Sequence, residues 1–405
     1  MIGLNPILAG DPLFSGGVDT EVVIIVIVKT ILVFVILLVG VMFYVWFMRK
    51  VIADMQNRIG PQRAGPFGAF QTLADGIKLF FKEQSTPTLA DRPVFRIAPY
   101  LAIMPAFLAF AIVPIGGLVT VDGHETYLQL ADPGIGVLWL LMMSGIGLYG
   151  VLLAGWSSGS KYPLLGSVRA SAQLLSYEAA FGLAIVGVLV QSGTLSTREI
   201  VAEQGPWDGV TSIGDWYWLA SFIAFAIFLI AATAETNHPP FDLVEAEQEL
   251  VGGFHTEYTG IRFAIFFLAE FMNVITMSAI AVTLFLGGPA GPSLGFLPEN
   301  GTVNVWIMPT FWFMAKLLLL LFCTVWIRAS LPRLRYDQLM DLGWKVLIEV
   351  AFLWIMVSGV LVIGREEDWN MFVVVPAAVA GALLVYGVLY LAMPKRDELL
   401  EHEIK

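Results

Sequence analysis

Residues 22–47 read VVIIVIVKTILVFVILLVGVMFYVWF, a stretch of 26 residues in which Lys29 is the single charged side chain. An α-helix needs about 20 apolar residues to cross the hydrocarbon core of a bilayer, so this stretch predicts a membrane-spanning helix. The whole chain is 58% hydrophobic and 14% charged, whereas soluble domains carry about 25% charged residues. The sequence therefore predicts an all-α integral membrane protein.

Eight further runs are apolar and long enough to span, and the nine together predict one polytopic membrane domain, residues 1–393, with a short tail at 394–405. The N-terminal residues lack the basic segment of a signal peptide, so the first run is expected to be retained. Most of the 22 Lys and Arg residues follow alternate runs or lie in the tail, which predicts an outer N-terminus and a cytoplasmic C-terminus. The predicted spans are about 22–47, 97–119, 135–155, 172–192, 216–234, 262–287, 303–327, 345–364 and 371–393.

Several functional classes do not fit the composition. The chain has one Cys, and none of its four His residues lies within a long apolar run, so we expect no thiolate cluster, bound metal or intramembrane haem. The net charge of −11 has the wrong sign for binding nucleic acid. Gly145, Gly147 and Gly150 match a dinucleotide-binding pattern, but they lie in an apolar run without a preceding strand. They are better explained as small residues at a helix–helix contact.

The first inner loop contains an amphipathic segment at about 69–82, after two Gly-Pro pairs that stop a helix. Gln71, Asp75, Lys78 and Lys82 fall on one side and apolar residues on the other. This pattern predicts a helix that lies along the cytoplasmic membrane surface. Two roles remain open for it: a surface anchor, or the rim of an opening through which a lipid-like substrate enters.

An acidic stretch follows the fifth run: AETNHPPFDLVEAEQELVGGFHTEY, residues 234–258, with six carboxylates and no Lys or Arg. Pro239-Pro240 suits a helix start and Gly252-Gly253 a helix end. On such a helix Asp242, Glu245 and Glu249 share a face. Like charges at this spacing disfavour a helix by roughly 0.2–0.5 kcal/mol, so helix stability does not account for the pattern. The stretch is either a solvated acidic face or a functional carboxylate cluster.

Charged residues inside the apolar runs favour the functional cluster. Each opposes insertion by about 2.5–3.5 kcal/mol when unpaired, and such residues usually mark ion or proton routes. Burial and neighbouring carboxylates also bring a glutamate towards proton exchange at neutral pH. A structural Lys–Glu pair could account for any one of these residues, but a hydrated relay better accounts for all of them together. The residues are Lys29, Glu178, Glu270, Lys316 and Glu349.

Four cytoplasmic-side motifs resemble the family of quinone-site membrane subunits of bacterial respiratory complex I, the proton-pumping NADH:quinone oxidoreductase. The motifs follow the family's order and spacing, and the likeness runs from about residue 22 to 393. They are QNRIGPQRAGPFGAFQTLADGIKLFFKE (56–83), GWSSGSKYPLLGSVRASAQLLSYE (155–178), AETNHPPFDLVEAEQELVGGFHTEY (234–258) and RASLPRLRYDQLMDLGWK (328–345).

The resemblance implies a chain without its own redox centre or catalytic residue, embedded in the bacterial inner membrane. Quinone would be the substrate, while FMN and iron–sulfur clusters would belong to partner subunits. The implied partners are the peripheral-arm quinone-site and terminal-cluster subunits, antiporter-like membrane subunits and the lipid bilayer. The implied proton or charge path comprises Glu178, Glu235, Glu245, Glu247, Glu249, Glu257 and Glu270, and the implied quinone chamber or entrance comprises Arg49, Arg63, Asp75, His238, Phe241 and Asp242.

The chain departs from the family pattern at two positions. Relatives often have Glu-Arg where this chain has Met48-Arg49, so one entrance carboxylate is missing. Relatives often have Arg where this chain has His238, which replaces a permanent cation with a group that titrates near pH 6.5 when unperturbed. Headgroup preference and pH response are therefore expected to differ from those of other members.

Two other functions remain as alternatives. The membrane anchor of energy-converting hydrogenases or of F420-type dehydrogenases shares the carboxylate pattern, but the complete RIGPQRAGPFG and FHTEY motifs favour the respiratory form. A free-standing ion transporter is the second alternative. The long inner loops suit docking to partners better than gating, which argues against it.

Overall fold

The computed structural model describes residues 11–14, 17–121, 123–205, 216–244, 247–292 and 307–392, and these residues are mostly helical. The helices are α1 (Thr20–Met55), α2 (Gln71–Phe81), α3 (Arg92–Phe110), α4 (Gly136–Ser157), α5 (Lys161–Ser192), α6 (Thr197–Glu203), α7 (Tyr217–Ala220), α8 (Phe222–Glu235), α9 (Glu247–Leu250), α10 (Ile261–Phe285), α11 (Met308–Ser330), α12 (Tyr336–Leu342), α13 (Ile348–Glu366) and α14 (Met371–Ala392).

Seven described helices are long and apolar enough to cross a membrane: α1, α3, α4, α5, α10, α11 and the continuous segment Tyr336–Glu366 that contains α12 and α13. The all-α membrane fold is therefore confirmed. α8 covers the fifth predicted span but is shorter, and Ser221 separates it from α7. The count of nine spans stays a prediction. The start of the seventh predicted span, 303–306, and the tail, 394–405, lie outside the described residues.

The centre of the bundle is α10. From Phe271 to Phe285 nearly every side chain of this helix is buried, and α10 packs against α1, α3, α8 and α11. On one side α3 lies along α4, which packs on α5, and α5 in turn packs on α8 and α13. Because α3, α4, α5, α8 and α10 surround a common space, side chains from five helices can meet there.

The second predicted span ends earlier than the apolar run suggests. Helix α3 stops at Phe110, and a two-stranded antiparallel hairpin follows, with β1 at Leu118–Val121 and β2 at His124–Tyr127. Pro114 lacks an amide hydrogen and Gly116-Gly117 is a poor helix former. Residues 111–117 are therefore a buried, non-helical segment that leads into β1.

The amphipathic segment of the first inner loop forms α2, one or two residues inside the predicted limits at each end. A 3-10 turn at Pro66–Gly68 precedes it. The indole nitrogen of Trp46 donates a 3.0 Å hydrogen bond to the Phe67 carbonyl oxygen of this turn. This bond fixes the loop to α1.

The acidic stretch does not form the helix that the sequence suggests. Residues 239–244 form turns around a cis Pro239-Pro240 bond, and α9 is a single turn at Glu247–Leu250. The prediction of a helix beginning at Pro239-Pro240 is wrong, because tertiary hydrogen bonds hold this backbone: Gln173 Nε2 donates to the Ala234 and Phe241 carbonyl oxygens at 2.8 and 2.9 Å. Glu245 lies outside the described residues.

Candidate functional site

A cavity of about 70 Å³ lies between α3, α4, α5, α8 and α10. One water needs on the order of 10–15 Å³ of such space, so the cavity can hold several waters. Its walls combine apolar side chains of α3 and α4 with polar groups of α4, α5, α8 and α10. The polar residues that line it are Ser144, Glu178, Glu235, Thr236, Asn237, Glu270, Asn273 and Thr276.

Three of the predicted path carboxylates therefore meet in one place, although they lie far apart in sequence. Glu178 comes from the middle of α5, Glu235 is the last residue of α8, and Glu270 belongs to α10. Carboxylates that share a polar cavity can exchange protons through intervening water, because each is within reach of the same solvent.

Glu235 is the most buried of the three, with 9% of its surface exposed. The Ser144 hydroxyl of α4 donates a hydrogen bond to Glu235 Oε1. The second oxygen, Oε2, is buried without a hydrogen-bond partner among the described residues. A buried carboxylate oxygen without a partner is costly unless water or a proton satisfies it. This oxygen is therefore a natural point for a proton to bind.

The small residues of α4 shape the cavity. A Cβ at Gly150 would lie 2.6 Å from the Ala102 amide nitrogen of α3, so glycine is required for this helix contact. The interpretation of the glycine motif as a helix-packing element is therefore supported at Gly150. A Cβ at Gly145 would lie 3.4 Å from Glu178 Oε1, and Gly147 faces open space on the cavity wall.

The loop after Glu235 is held by a fully buried amide. Besides its two bonds to backbone oxygens, Gln173 Nε2 approaches Asn237 Oδ1 at 3.3 Å. In this loop His238 and Phe241 are both buried, with 5% and 4% of their surface exposed. The Phe241 ring packs against Tyr177 at 5.3 Å, and Asp242 is half-buried beside it. Since these residues continue directly from Glu235, the loop begins at the cavity wall.

A second cluster lies at the first inner loop. Arg49 Nη1 donates to Asp75 Oδ2 at 2.8 Å, and Gln71 Nε2 donates to Asp75 Oδ1 at 3.3 Å. Lys78 approaches the same carboxylate at 4.0 Å. Arg63 lies exposed in the preceding loop, so the structure unites Arg49 with Asp75 but leaves Arg63 apart. The cluster ties α2 to the C-terminal end of α1.

A groove of about 480 Å³ adjoins this cluster, between the end of α1 and the chain that follows it. Arg328 of α11 reaches Met48 from the other side, with Nη1 3.2 Å from the sulfur. The groove has both apolar and cationic walls, which suits a ligand with a polar head and an apolar tail. Its lining residues are Met48, Arg49, Ile52, Arg58, Ile59, Gly60 and Pro61.

Two other described carboxylates of the acidic stretch, Glu249 and Glu257, do not line the cavity. Glu249 is about half exposed and bridges two segments, with Arg169 Nη1 at 2.6 Å and Arg333 Nη2 at 3.4 Å. The hydrogen bond from Arg169 lowers the pKa of Glu249, so this carboxylate stays ionised at neutral pH. Glu257 is half-buried in the turn before α10, and Glu247 begins α9.

The intramembrane charges divide into two groups. Lys29 pairs with Asp11 at 2.9 Å and donates to Thr126 at 2.8 Å. Lys316 donates to three carbonyl oxygens just beyond the end of α10, those of Leu286, Gly288 and Ala290. These bonds occupy all three ammonium hydrogens. Both lysines therefore have local structural partners, whereas Glu178 and Glu270 line the cavity, and Glu349 is half-buried at the start of α13.

The site also contains uncharged polar residues that the sequence did not identify as functional. Ser144, Gln173 and Asn273 are polar residues inside or beside apolar runs, and each contacts the cavity or its loop. A polar side chain in a membrane helix must find a partner. This expectation singles out such positions but does not say which partner they have.

A bundle with seven described helices long and apolar enough to cross a bilayer belongs to the class of polytopic membrane proteins. The chain is a member of the NADH dehydrogenase family, whose sequence profile matches residues 28–359. It is 48% identical to the H subunit of NADH-quinone oxidoreductase of Frankia alni over 381 residues, 94% of this chain and 82% of that protein. It is also 48% identical to the protein of the same name from Frankia casuarinae over 367 residues, 90% of this chain and 79% of that protein.

Proposed function

We propose that this chain is the membrane subunit of an NADH:quinone oxidoreductase complex and that it links quinone reduction to proton translocation. Family membership and the relatives' names support the complex. The observation that carries the coupling role is the shared cavity of Glu178, Glu235 and Glu270. In this proposal the N-terminus lies outside and the C-terminus in the cytoplasm of a bacterial cell.

Quinone reduction supplies the chemical reason for such a cavity. A quinone that becomes a quinol takes up two electrons and two protons, and negative charge develops at the headgroup until the protons arrive. In the proposal, FMN and iron–sulfur clusters of partner subunits deliver the electrons. This chain provides groups that change protonation when that charge appears nearby. Glu235 suits the first position in the path, because it lies where the cavity meets the loop that leads to the cytoplasmic side.

We assign the quinone entrance to the groove that Met48, Arg49, Ile52 and residues 58–61 line, and to the adjoining Arg49–Asp75 pair. An apolar wall can hold an isoprenoid tail, and the arginines can hydrogen-bond a carbonyl oxygen of the headgroup. Arg63, Phe241, Asp242 and His238 remain proposed chamber residues. Glu245, Glu247, Glu249 and Glu257 remain proposed members of the charge path on the cytoplasmic side, where antiporter-like and peripheral subunits would dock.

The direct test of the assignment is purification of the tagged chain in mild detergent, followed by mass spectrometry of its protein partners and extracted quinone. We expect an NADH-binding flavoprotein, iron–sulfur subunits, antiporter-like subunits and bound quinone. Recovery with a hydrogenase large subunit or an F420-linked partner would assign the chain to a related anchor. Recovery of an active ion carrier without partners would make it a free-standing transporter.

Replacement of Asp75 should lower quinone reduction but leave NADH oxidation by ferricyanide nearly unchanged. Asp75→Asn keeps the side-chain shape but removes the charge that holds Arg49 and attracts Lys78. Partly exposed ion pairs contribute about 0–1 kcal/mol, so the complex should still assemble. We expect NADH oxidation by ferricyanide to stay near the wild-type rate while quinone reduction falls, chiefly through a higher KM for quinone.

Asp54→Asn is the matched control, because Asp54 is an exposed carboxylate near the same end of α1. It should leave both activities unchanged. A parallel fall of ferricyanide and quinone activities in Asp75→Asn would show that the change disturbs assembly and that Asp75 has no specific part in the entrance.

A further inference from the structure

His238 lies between a backbone carbonyl and a cavity carboxylate. Its Nδ1 is 2.7 Å from the Thr236 carbonyl oxygen and 3.3 Å from Glu270 Oε1. The ring is buried and meets Phe271 of α10 edge-on, with centroids 5.5 Å apart. The imidazole therefore joins the loop that follows Glu235 to the carboxylate on the opposite wall of the cavity.

The geometry fixes the tautomer of the neutral ring. A carbonyl oxygen can only accept, so Nδ1 carries the hydrogen that is donated to Thr236. The nitrogen that gains or loses a proton is then Nε2. When Nε2 is protonated, the ring is a cation beside Glu270; when it is not, Glu270 lies beside a neutral ring.

The charged surroundings favour exchange between these two states. A cation stabilises the ionised form of a neighbouring carboxylate, and its loss favours the protonated form. Among the residues that the structure describes, carboxylates outnumber cations around the pair, so a protonated imidazole is electrostatically compatible with the site. The titratable and charged groups nearby are Glu235 on α8, Glu178 on α5, Asp242 in the same loop, Tyr44 on α1 and Arg328 on α11.

We propose that His238 and Glu270 form a proton-exchanging pair in which the protonation of His238 sets the charge of Glu270. The inference rests on the proposed coupling function and adds a titrating group to it. At low pH the imidazolium keeps Glu270 ionised and ready to accept a proton from the cavity. At high pH the neutral ring leaves Glu270 without that support, and quinone-linked turnover falls.

Two variants of His238 mimic the charged and the neutral state of the imidazole. His238→Arg places a permanent cation beside Glu270, and His238→Asn keeps a donor near the Nδ1 position but never gains charge. NADH:quinone turnover of each assembled complex is measured as a function of pH and divided by the ferricyanide activity of the same preparation. The ratio of this value to that of the wild-type complex is the relative turnover. Relative turnover of His238→Arg should equal that of wild type at low pH and exceed it at high pH. For His238→Asn it should equal wild type at high pH and fall below it at low pH.

His255→Gln is the matched control, since His255 lies in the same stretch but packs against Phe254 and Phe263. It should follow the wild-type profile at every pH. Glu270→Gln changes the other member of the pair and should also remove the pH-dependent step. This variant tests the pair even where a His238 variant does not assemble. Assembled variants whose relative turnover does not change with pH would overturn the pair. A wild-type complex that does not reduce quinone at any pH would instead contradict the proposed function.

Discussion

Glu235→Gln should leave the complex assembled and able to reduce ferricyanide with NADH, and it should lose most quinone-linked turnover. Glutamine can still accept the hydrogen bond of Ser144 and has nearly the shape of glutamate, but it cannot exchange a proton. A positioned proton-transfer group contributes about 10²–10⁴-fold to a rate, so a loss on the order of 10²-fold is expected. Both activities can be measured on the same membranes.

Two further variants make this result specific. Glu203→Gln changes an exposed carboxylate at the end of α6, away from the cavity, and should behave as wild type. Glu178→Gln should resemble Glu235→Gln. Because the two carboxylates share one cavity, the double variant should lose much less than the product of the single losses. Multiplicative losses would mean that the two residues act independently.

Gly147→Leu should block the cavity without removing a titratable group. A Cβ at Gly147 meets no atom within 4 Å, so the added side chain can extend into the space between the carboxylates. Water that bridges Glu178, Glu235 and Glu270 in the proposed path would then be displaced. Quinone-linked turnover should fall nearly as far as in Glu235→Gln, while ferricyanide activity and assembly are kept.

Matched controls separate the block from a general packing effect. Gly147→Ala adds one methyl group and should be nearly neutral. Gly182→Leu adds the same side chain to α5 at a position with equally open surroundings that does not line the cavity, and it should also be nearly neutral. Full turnover in an assembled Gly147→Leu complex would show that water in the cavity is not needed for the reaction.

The membrane fold could be predicted because apolar runs of spanning length are typical of membrane helices and rare in water-soluble domains. The helix ends could not, since hydropathy does not register what stops or extends a helix. Pro114 and Gly116-Gly117 end the second run early. α5 begins at Lys161, 11 residues before the fourth run, because polar residues continue the same helix.

The carboxylates of the site could be predicted from the cost of placing charge in an apolar run, which applies to Glu178 and Glu270. The same signal also selected Lys29 and Lys316, which have local partners on other elements. Charge alone therefore finds buried ionisable groups but does not separate a relay from a structural anchor. That distinction depends on which helices are neighbours, and the sequence does not state it.

The acidic loop shows how tertiary contacts override a local pattern. Pro239-Pro240 and the following acidic residues have the composition of a helix start. However, the side chain of Gln173, more than 60 residues earlier, donates a hydrogen bond to the Phe241 carbonyl oxygen. This buried amide and the Leu334 amide, which donates to the Pro240 carbonyl oxygen at 3.1 Å, hold the backbone between Glu235 and Asp242. No pattern within residues 234–258 could have revealed it.

In the proposed function, quinone reduction drives protons through the cavity that contains Glu235. The most direct test is proton pumping by vesicles that carry the purified complex, with NADH and quinone supplied and acidification followed by a fluorescent dye. Assembly and ferricyanide activity are checked on the same preparation. We expect Glu235→Gln vesicles to acidify far more slowly than wild-type vesicles at equal ferricyanide activity. Acidification at the wild-type rate by the correctly assembled Glu235→Gln complex would show that protons do not pass through this cavity.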